Sequence, residues 1–239
     1  MNQEVSSSDE PQILNSAELQ AIIFDFDGTL VDSEPLWNDI YFEIFQEHCN
    51  VDVSYDLLWK NTGNVVDTTV ENISDAYALG FSSRRILEMT DLINEEADRR
   101  ILTLPLRPGA RELFEWAETR GIAMAICTAA TYDQINTYFG ELEMIGYFAE
   151  VLSTALSKPD ERKPHPFPYL QLLSKLDVKP EQTLVFEDSV PGIISSRAAG
   201  ITTIAIHNPF IEDRVTEAKP MVQLTDFHQV LELLASSQK

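Results

Sequence analysis

The stretch Ala21-Ile22-Ile23-Phe24-Asp25-Phe26-Asp27-Gly28-Thr29 decides the fold. Residues 21–26 are apolar apart from Asp25 and read as a short buried strand of a parallel sheet, whose interior has no use for charge. Asp25 and Asp27 therefore mark the C-terminal exit of that strand. Side chains alternate across a strand, so residues two apart face the same way and the two carboxylates converge on one small volume. Carboxylates forced together repel, and a divalent cation, a nearby lysine or a raised pKa on one of them must offset the repulsion. Gly28 lets the chain turn sharply and leaves backbone amides open to an incoming anion.

Three later segments repeat the pattern of an apolar run that ends in a reactive group. Ile122 to Cys127 ends in Thr128, and Thr183 to Phe186 ends in Glu187-Asp188-Ser189. Between them lies Lys163 in Lys163-Pro164-His165-Pro166. The groups that close these strands fall at the C-terminal edge of one parallel sheet, where open α/β sheets bind their ligands. In order and position the four segments resemble the motifs of the haloacid dehalogenase (HAD) superfamily in its phosphotransferase form: D-x-D-G-T, a Thr closing a strand, the Lys of K-P-x-P, and an acidic strand end. The resemblance spans about residues 20–207 and continues through Val190-Pro191-Gly192-Ile193 and Ala198-Ala199-Gly200-Ile201.

The resemblance implies a set of roles. Asp25 would be the nucleophile that forms an aspartyl-phosphate, and Asp27 the general acid and base. Mg²⁺ would be held by the Asp25 carboxylate, the Asp27 backbone carbonyl and the Asp188 carboxylate, an oxygen-only set that suits a hard cation. Glu187 is expected to support these ligands from behind. Thr128, the Ala129 amide and Lys163 would hold the phosphoryl oxygens.

Outside the strands the chain has two textures. From Pro35 to about Leu104 it reads as helical, with Leu36, Ile40, Phe42, Ile44 and Phe45 on one apolar face, Val66, Val70 and Ile73 on another, and Ile86, Met89, Leu92, Ile93 and Ala97 on a third. From Gly109 onward helices and strands alternate: helix to Arg120, strand to Cys127, helix Gln134 to Glu143, strand Glu150 to Ser153, and helix Pro166 to Leu176. The strand to Phe186, helix Pro191 to Ala199, strand Thr202 to Ile206 and a helix after Asp226 complete the series. Alternation of this kind predicts a Rossmann-like α/β core with helices on both faces of a parallel sheet. The expected organisation is a loose N-terminal extension over 1–18, a core built from 19–34 and 105–239, and an all-α module at 35–104 that resembles the cap of subclass I members. Hinges are expected at Ser33 to Leu36 and Thr103 to Pro108.

At 239 residues and 44% hydrophobic, the chain can bury a sizeable core. Its 39 Asp and Glu against 17 Lys and Arg give a net charge of −22, which disfavours nucleic acid and anionic lipid as partners. An anionic substrate needs local positive charge, which a metal ion and Lys163 would supply. Cys49 and Cys127 read as free thiols of a reducing compartment. With no apolar stretch near the ~20 residues of a membrane span, the expectation is a cytoplasmic protein, a monomer or weak homodimer, acting on a small phosphorylated metabolite.

The substrate is narrowed by departures from the family pattern. Phosphosugar mutases of the superfamily carry a cap G-x-x-R loop that grips a second phosphate, and here Gly63 is followed by Asn64, Val65 and Val66. The position of the arginine is apolar, so β-phosphoglucomutase-like activity is the alternative to a phosphatase rather than the first reading. Gly63 and Asn64 resemble the corresponding loop of phosphoglycolate phosphatases and are expected to select the substrate. Ala129-Ala130 stands where many relatives carry Ser or Asn, so one polar contact to phosphate is missing. Dehalogenases lack the second aspartate, which Asp27 supplies, and Lys60 reads as a solvated charge. A catalytically silent metabolite-binding module remains the reading from a different class.

Overall fold

The computed structural model describes residues 18–209 and 211–236, so the expected N-terminal extension lies outside the described residues except for Glu18. The sheet has six strands: β1 (Ala21–Phe24), β2 (Ala123–Thr128), β3 (Glu150–Ser153), β4 (Thr183–Glu187), β5 (Thr202–Ile206) and β6 (Val222–Leu224). All pairings are parallel, in the order β3-β2-β1-β4-β5-β6, so β1 lies between β2 and β4 at the point where the strand order reverses. Phe24 stands opposite Ile126 on one side and Phe186 on the other. The three central strands therefore end nearly level, and the residues that follow them emerge at one edge.

Between β1 and β2 the chain forms four helices: α1 (Glu34–Cys49), α2 (Tyr55–Asn61), α3 (Val66–Ala76) and α4 (Ser83–Ile101). They bury a hydrophobic cluster of their own, centred on Ile40, Phe45, Val70, Ile73, Met89 and Ile93. The way out and the way back run side by side. Val31 bridges Leu106 in antiparallel sense, and Arg107 donates to the Gly28 carbonyl at 3.0 Å and pairs with Asp32 at 2.9 Å.

After the return come α5 (Ala110–Glu118), α6 (Tyr132–Glu141), α7 (Phe167–Leu176), α8 (Val190–Ala198), α9 (Glu212–Glu217) and α10 (Phe227–Ser236). Alternation along β1 divides the core: Ile22 and Phe24 join the cluster under α5, α6 and α10, while Ile23 joins the cluster with Tyr169 and Leu172 of α7. Phe24 stacks on Phe186 and meets Phe114 edge-on, with both centroid distances 5.4 Å. The α/β parallel sheet expected from the alternation is the one observed.

Several local expectations need correction. The first strand ends at Phe24 rather than Phe26, because after Asp25 the backbone turns into the Gly28 loop. Phe42 does not belong to the buried face of α1. It lies 37% exposed and Tyr41 is buried instead, since two residues from Ile40 is more than half a turn round the helix. The short elements α2, α9 and β6 are additional. Both cysteines are free thiols, with Cys127 buried in β2. Among the described residues no helix is long and apolar enough to cross a membrane.

Candidate active site

Continuing the register one step past Phe24 places Asp25 level with Cys127 of β2 and Glu187 of β4. Lys163 joins this row. Its Nζ donates to Asp25 Oδ1 at 2.7 Å, to the Cys127 carbonyl at 2.8 Å and to Glu187 Oε1 at 2.6 Å, so all three ammonium protons are used. Burial works against the Lys163 charge, but Asp25 and Glu187 outweigh it and hold its pKa above the usual lysine range. Glu187 is fully buried and also accepts from Tyr169 Oη at 2.7 Å and Ser189 Oγ at 3.0 Å. A Cβ at Gly192 would fall 1.9 Å from Glu187 Oε1, so only glycine lets α8 start this close to the carboxylate.

Asp27 is held differently. Its Oδ1 accepts from Ser33 Oγ and from Trp37 Nε1, each at 2.7 Å, and Ser33 Oγ in turn accepts from the Gly28 amide at 3.1 Å. Burial raises the Asp27 pKa, and the bonds from Trp37 and Ser33 oppose that rise. Gly28 has φ 74°, and a Cβ there would lie 2.0 Å from Asp188 Oδ2. Asp188 accepts from Thr29 Oγ1 at 3.3 Å and from Asn208 Nδ2 at 3.0 Å.

Asp25, Glu187 and Asp188 each offer an oxygen, and these atoms lie within 4.8 Å of one another. Three buried carboxylates thus gather where Lys163 supplies one ammonium, paired with Asp25 and Glu187, so acidic groups outnumber the positive charge. Burial, reinforced by neighbouring carboxylates, pushes Asp25 and Asp188 well above the usual range. A hard divalent cation fits this arrangement, since the donors are all oxygen and the missing charge is positive. Lys163, Tyr169 and Ser189 already occupy Glu187, leaving Asp25 and Asp188 the more open donors.

Above the sheet edge lies a cavity of about 420 Å³, whose floor includes Asp25, Asp27, Thr128 and Ala129 and whose roof is drawn from α1 to α4. Thr128 Oγ1 accepts from the Ala130 amide at 3.0 Å, which fixes the turn that brings Ala129 to the cavity wall. Gly63 and Asn64 line the roof. Gly63, at φ 84°, packs so closely that a Cβ would meet Ser189 at 2.7 Å. Asn64 Nδ2 donates to Asn61 Oδ1 at 3.1 Å. Lys60 is exposed and paired with Asp56, as a solvated charge would be.

Of the site residues read from the sequence, Asp25, Asp27, Thr128, Ala129, Gly63 and Asn64 line this cavity, while Lys163 and Asp188 adjoin Asp25 at the sheet edge. The sequence reading missed Ser33, Glu34, Trp37, Arg162, Tyr169 and Asn208. Glu34 and Trp37 begin α1 and turn into the cavity, where burial and the nearby Asp27 push the Glu34 carboxyl up to about 7. Arg162 spans the gap between the two halves: it pairs with Asp67 of α3 at 3.1 Å and donates to the carbonyls of Ser157 and Ala155. The one available signal was position, since Ser33 and Trp37 follow Asp27 closely and Arg162 precedes Lys163.

The family model described as Haloacid dehalogenase-like hydrolase matches residues 22–206. The chain belongs to this family. Hexitol phosphatase B of Escherichia coli (strain K12) is 30% identical over 198 residues, covering 80% of this chain and 85% of that protein. The Phosphorylated carbohydrates phosphatase of Thermotoga maritima is 28% identical over 189 residues, 78% of this chain and 84% of its own. Among solved structures, beta-phosphoglucomutase from Clostridium difficile matches with TM-score 0.79 at 18% identity, over 92% of this chain and 97% of that one, a likeness of fold. The haloacid dehalogenase fold expected from the four motifs is therefore the fold of the protein.

Proposed function

We propose that the protein is a Mg²⁺-dependent phosphatase that hydrolyses a small phosphorylated metabolite, of the phosphosugar or phosphoglycolate kind, through an aspartyl-phosphate on Asp25. Residues 19–34 and 105–239 form the catalytic core in this reading, and 35–104 the cap. The assignment as a phosphoric monoester hydrolase is supported by the family match and the phosphatase relatives. The observation that carries the mechanism is the pairing of a buried Asp25, held at one oxygen by Lys163, with a separately anchored Asp27 on the same cavity floor.

The second oxygen of Asp25 attacks phosphorus as the ester P–O bond breaks. Asp27 gives its proton to the departing alkoxide, and burial, which raises its pKa, favours the protonated form this step needs. Asp27 then takes a proton from a water whose oxygen attacks the same phosphorus. The bond to Asp25 breaks and inorganic phosphate leaves. Splitting one displacement into two lowers each barrier. Lys163, Thr128 and the Ala129 amide balance charge on the phosphoryl oxygens. Mg²⁺, held by the Asp25 and Asp188 carboxylates and the Asp27 carbonyl, would supply the remaining positive charge.

The test is release of inorganic phosphate from p-nitrophenyl phosphate with Mg²⁺ and with excess chelator, alongside the Asp25→Asn protein. Metal-dependent release that vanishes in Asp25→Asn supports the reading. No release from a folded, metal-loaded sample would point to a silent binding module. Interconversion of hexose 1- and 6-phosphates without net release would point to a mutase.

A further inference from the structure

We propose that Glu34 selects the leaving group: one of its carboxylate oxygens accepts a hydrogen bond from a hydroxyl of a neutral, polyhydroxylated alcohol. The protein then favours phosphate esters of sugars or sugar alcohols over esters whose leaving group carries a second anion. This deepens the phosphatase reading above and rests on it.

Glu34 is the first residue of α1, at the point where the chain leaves the sheet, and it lines the cavity together with Asp25 and Asp27. Its Oε2 accepts from Thr62 Oγ1 at 3.1 Å, and among the described residues nothing donates to Oε1. An oxygen left open beside the reacting groups is an acceptor waiting for a donor. A hydroxyl supplies one and forms a charge-assisted hydrogen bond, whereas a carboxylate or phosphate on the leaving group supplies none and is repelled.

The composition of the wall agrees. Among the described lining residues there is no Lys or Arg, while Asn38, Asn61 and Asn64 offer neutral amides and Tyr41 and Thr62 offer hydroxyls. Lys163, the cation closest to the chemistry, has all its protons engaged by the sheet edge. A second anion on the substrate would therefore meet Glu34, Glu71 and an Asp67 whose partner Arg162 lies outside the lining, with no cation on the wall to receive it. A hydroxylated chain meets hydrogen-bonding groups of both kinds. A role confined to holding Thr62 would account for Oε2 but not for the open Oε1 or the wall without cations.

The experiment measures kcat/KM of the Mg²⁺-loaded enzyme for sorbitol 6-phosphate, phosphoglycolate and p-nitrophenyl phosphate, in the wild type, Glu34→Gln and Glu34→Ala. The wild type is expected to prefer sorbitol 6-phosphate to phosphoglycolate by about tenfold or more. In Glu34→Ala the ratio of sorbitol 6-phosphate to p-nitrophenyl phosphate should fall by about tenfold, chiefly through KM, and phosphoglycolate should gain on both. Glu34→Gln keeps an acceptor oxygen and should lie between, and being isosteric it carries the same test if Glu34→Ala does not fold. Unchanged substrate ratios in both variants, or a wild type that prefers phosphoglycolate, would overturn the proposal and leave the phosphatase reading standing. A wild type that releases phosphate from none of the three would remove the phosphatase reading, and this proposal with it.

Discussion

On the sheet side of the cavity, Asp25, Lys163, Glu187 and Asp188 are buried and locked by bonds of 2.6 to 3.3 Å to one another or to fixed neighbours. On the helical side, Glu34, Asn64 and Asp67 are only partly covered and retain exposed surface. The difference follows from how each wall is made. Strand ends in register leave no freedom to the groups they carry, while helices attached through two adjacent connections can shift as a body. A reaction that needs sub-ångström placement belongs to the first wall, and a choice among substrates belongs to the second. If that division is right, substitutions on the sheet side should act on every substrate alike, and substitutions on the helical side should act unevenly.

The largest effect should come from Asp25→Asn. It keeps the size of the side chain but removes the nucleophile, so turnover should fall by about 10⁶-fold with every ester, as when other covalent nucleophiles are removed. Mass spectrometry should find no phosphorylated protein, and wild-type turnover in this variant would discard the assignment. Asp27→Asn should cost about 10²–10⁴-fold, the usual worth of a positioned acid or base, and less with p-nitrophenol, which leaves without protonation. An equal loss with aryl and alkyl esters would place the whole effect in the second step, where Asp27 activates water, and would remove its role in protonating the leaving group.

Next in size is Gly28→Ala. The new Cβ would fall 2.0 Å from Asp188 Oδ2, and the positive φ of 74° adds strain of its own. Asp188 must move away from Asn208 and Thr29, and Mg²⁺ affinity should drop by about 10–100-fold. Calorimetric titration of the metal checks this, and unchanged affinity would show that Asp188 is no ligand.

The same contrast explains what could be read from sequence. Asp25, Thr128, Glu187 and Asp188 are polar residues that end apolar runs, and burial makes such an ending conspicuous with no knowledge of the fold. Trp37, Glu34 and Asn208 give no such sign, because a tryptophan or glutamate at the start of an amphipathic helix reads as ordinary packing or capping. What makes them part of the site is the path of the chain after Gly28, which turns α1 back over Asp27. Arg162 was hidden for a related reason: its partner Asp67 lies far away in sequence, in another element. The strand β6 has only three residues and α9 only six, too short for a periodic pattern to show.

A smaller effect concerns pH in the metal-free protein. Burial and Asp27 raise the Glu34 carboxyl from 4.5 to about 7, and Asp25 and Asp188 move in the same direction. A carboxyl with a raised folded-state pKa favours the folded state fully below its unfolded value, and that contribution is lost as pH rises through the folded value. The chelated protein should therefore lose stability as pH rises from about 4.5 to about 7. Glu34 accounts for on the order of 1–3 kcal/mol of that loss. Urea unfolding of Glu34→Gln should show a shallower decline than the wild type over this range. Identical slopes would mean that the Glu34 carboxyl titrates normally.

The smallest effect should come from the one ion pair that, among the described residues, joins the two walls. Arg162 sits on the segment leading into Lys163, held from the sheet side by the carbonyls of Ser157 and Ala155, and Asp67 approaches it from the first turn of α3. Their side chains are 14% and 44% exposed, so solvent screens the pair and it is worth no more than about 1 kcal/mol. An energy of that size cannot decide whether the protein folds, but it can shift the balance between a roof resting on the floor and one lifted from it by about fivefold. Asp67→Asn should raise KM about two- to fivefold for an ester whose leaving group reaches the roof, and change it less for p-nitrophenyl phosphate. Because the pair is charged, wild-type KM for the first substrate should climb with salt, and Asp67→Asn should lose that dependence. Equal changes for both substrates, with the salt dependence intact, would mean that Arg162 acts only on the loop before Lys163, and that the two walls are not coupled through this contact.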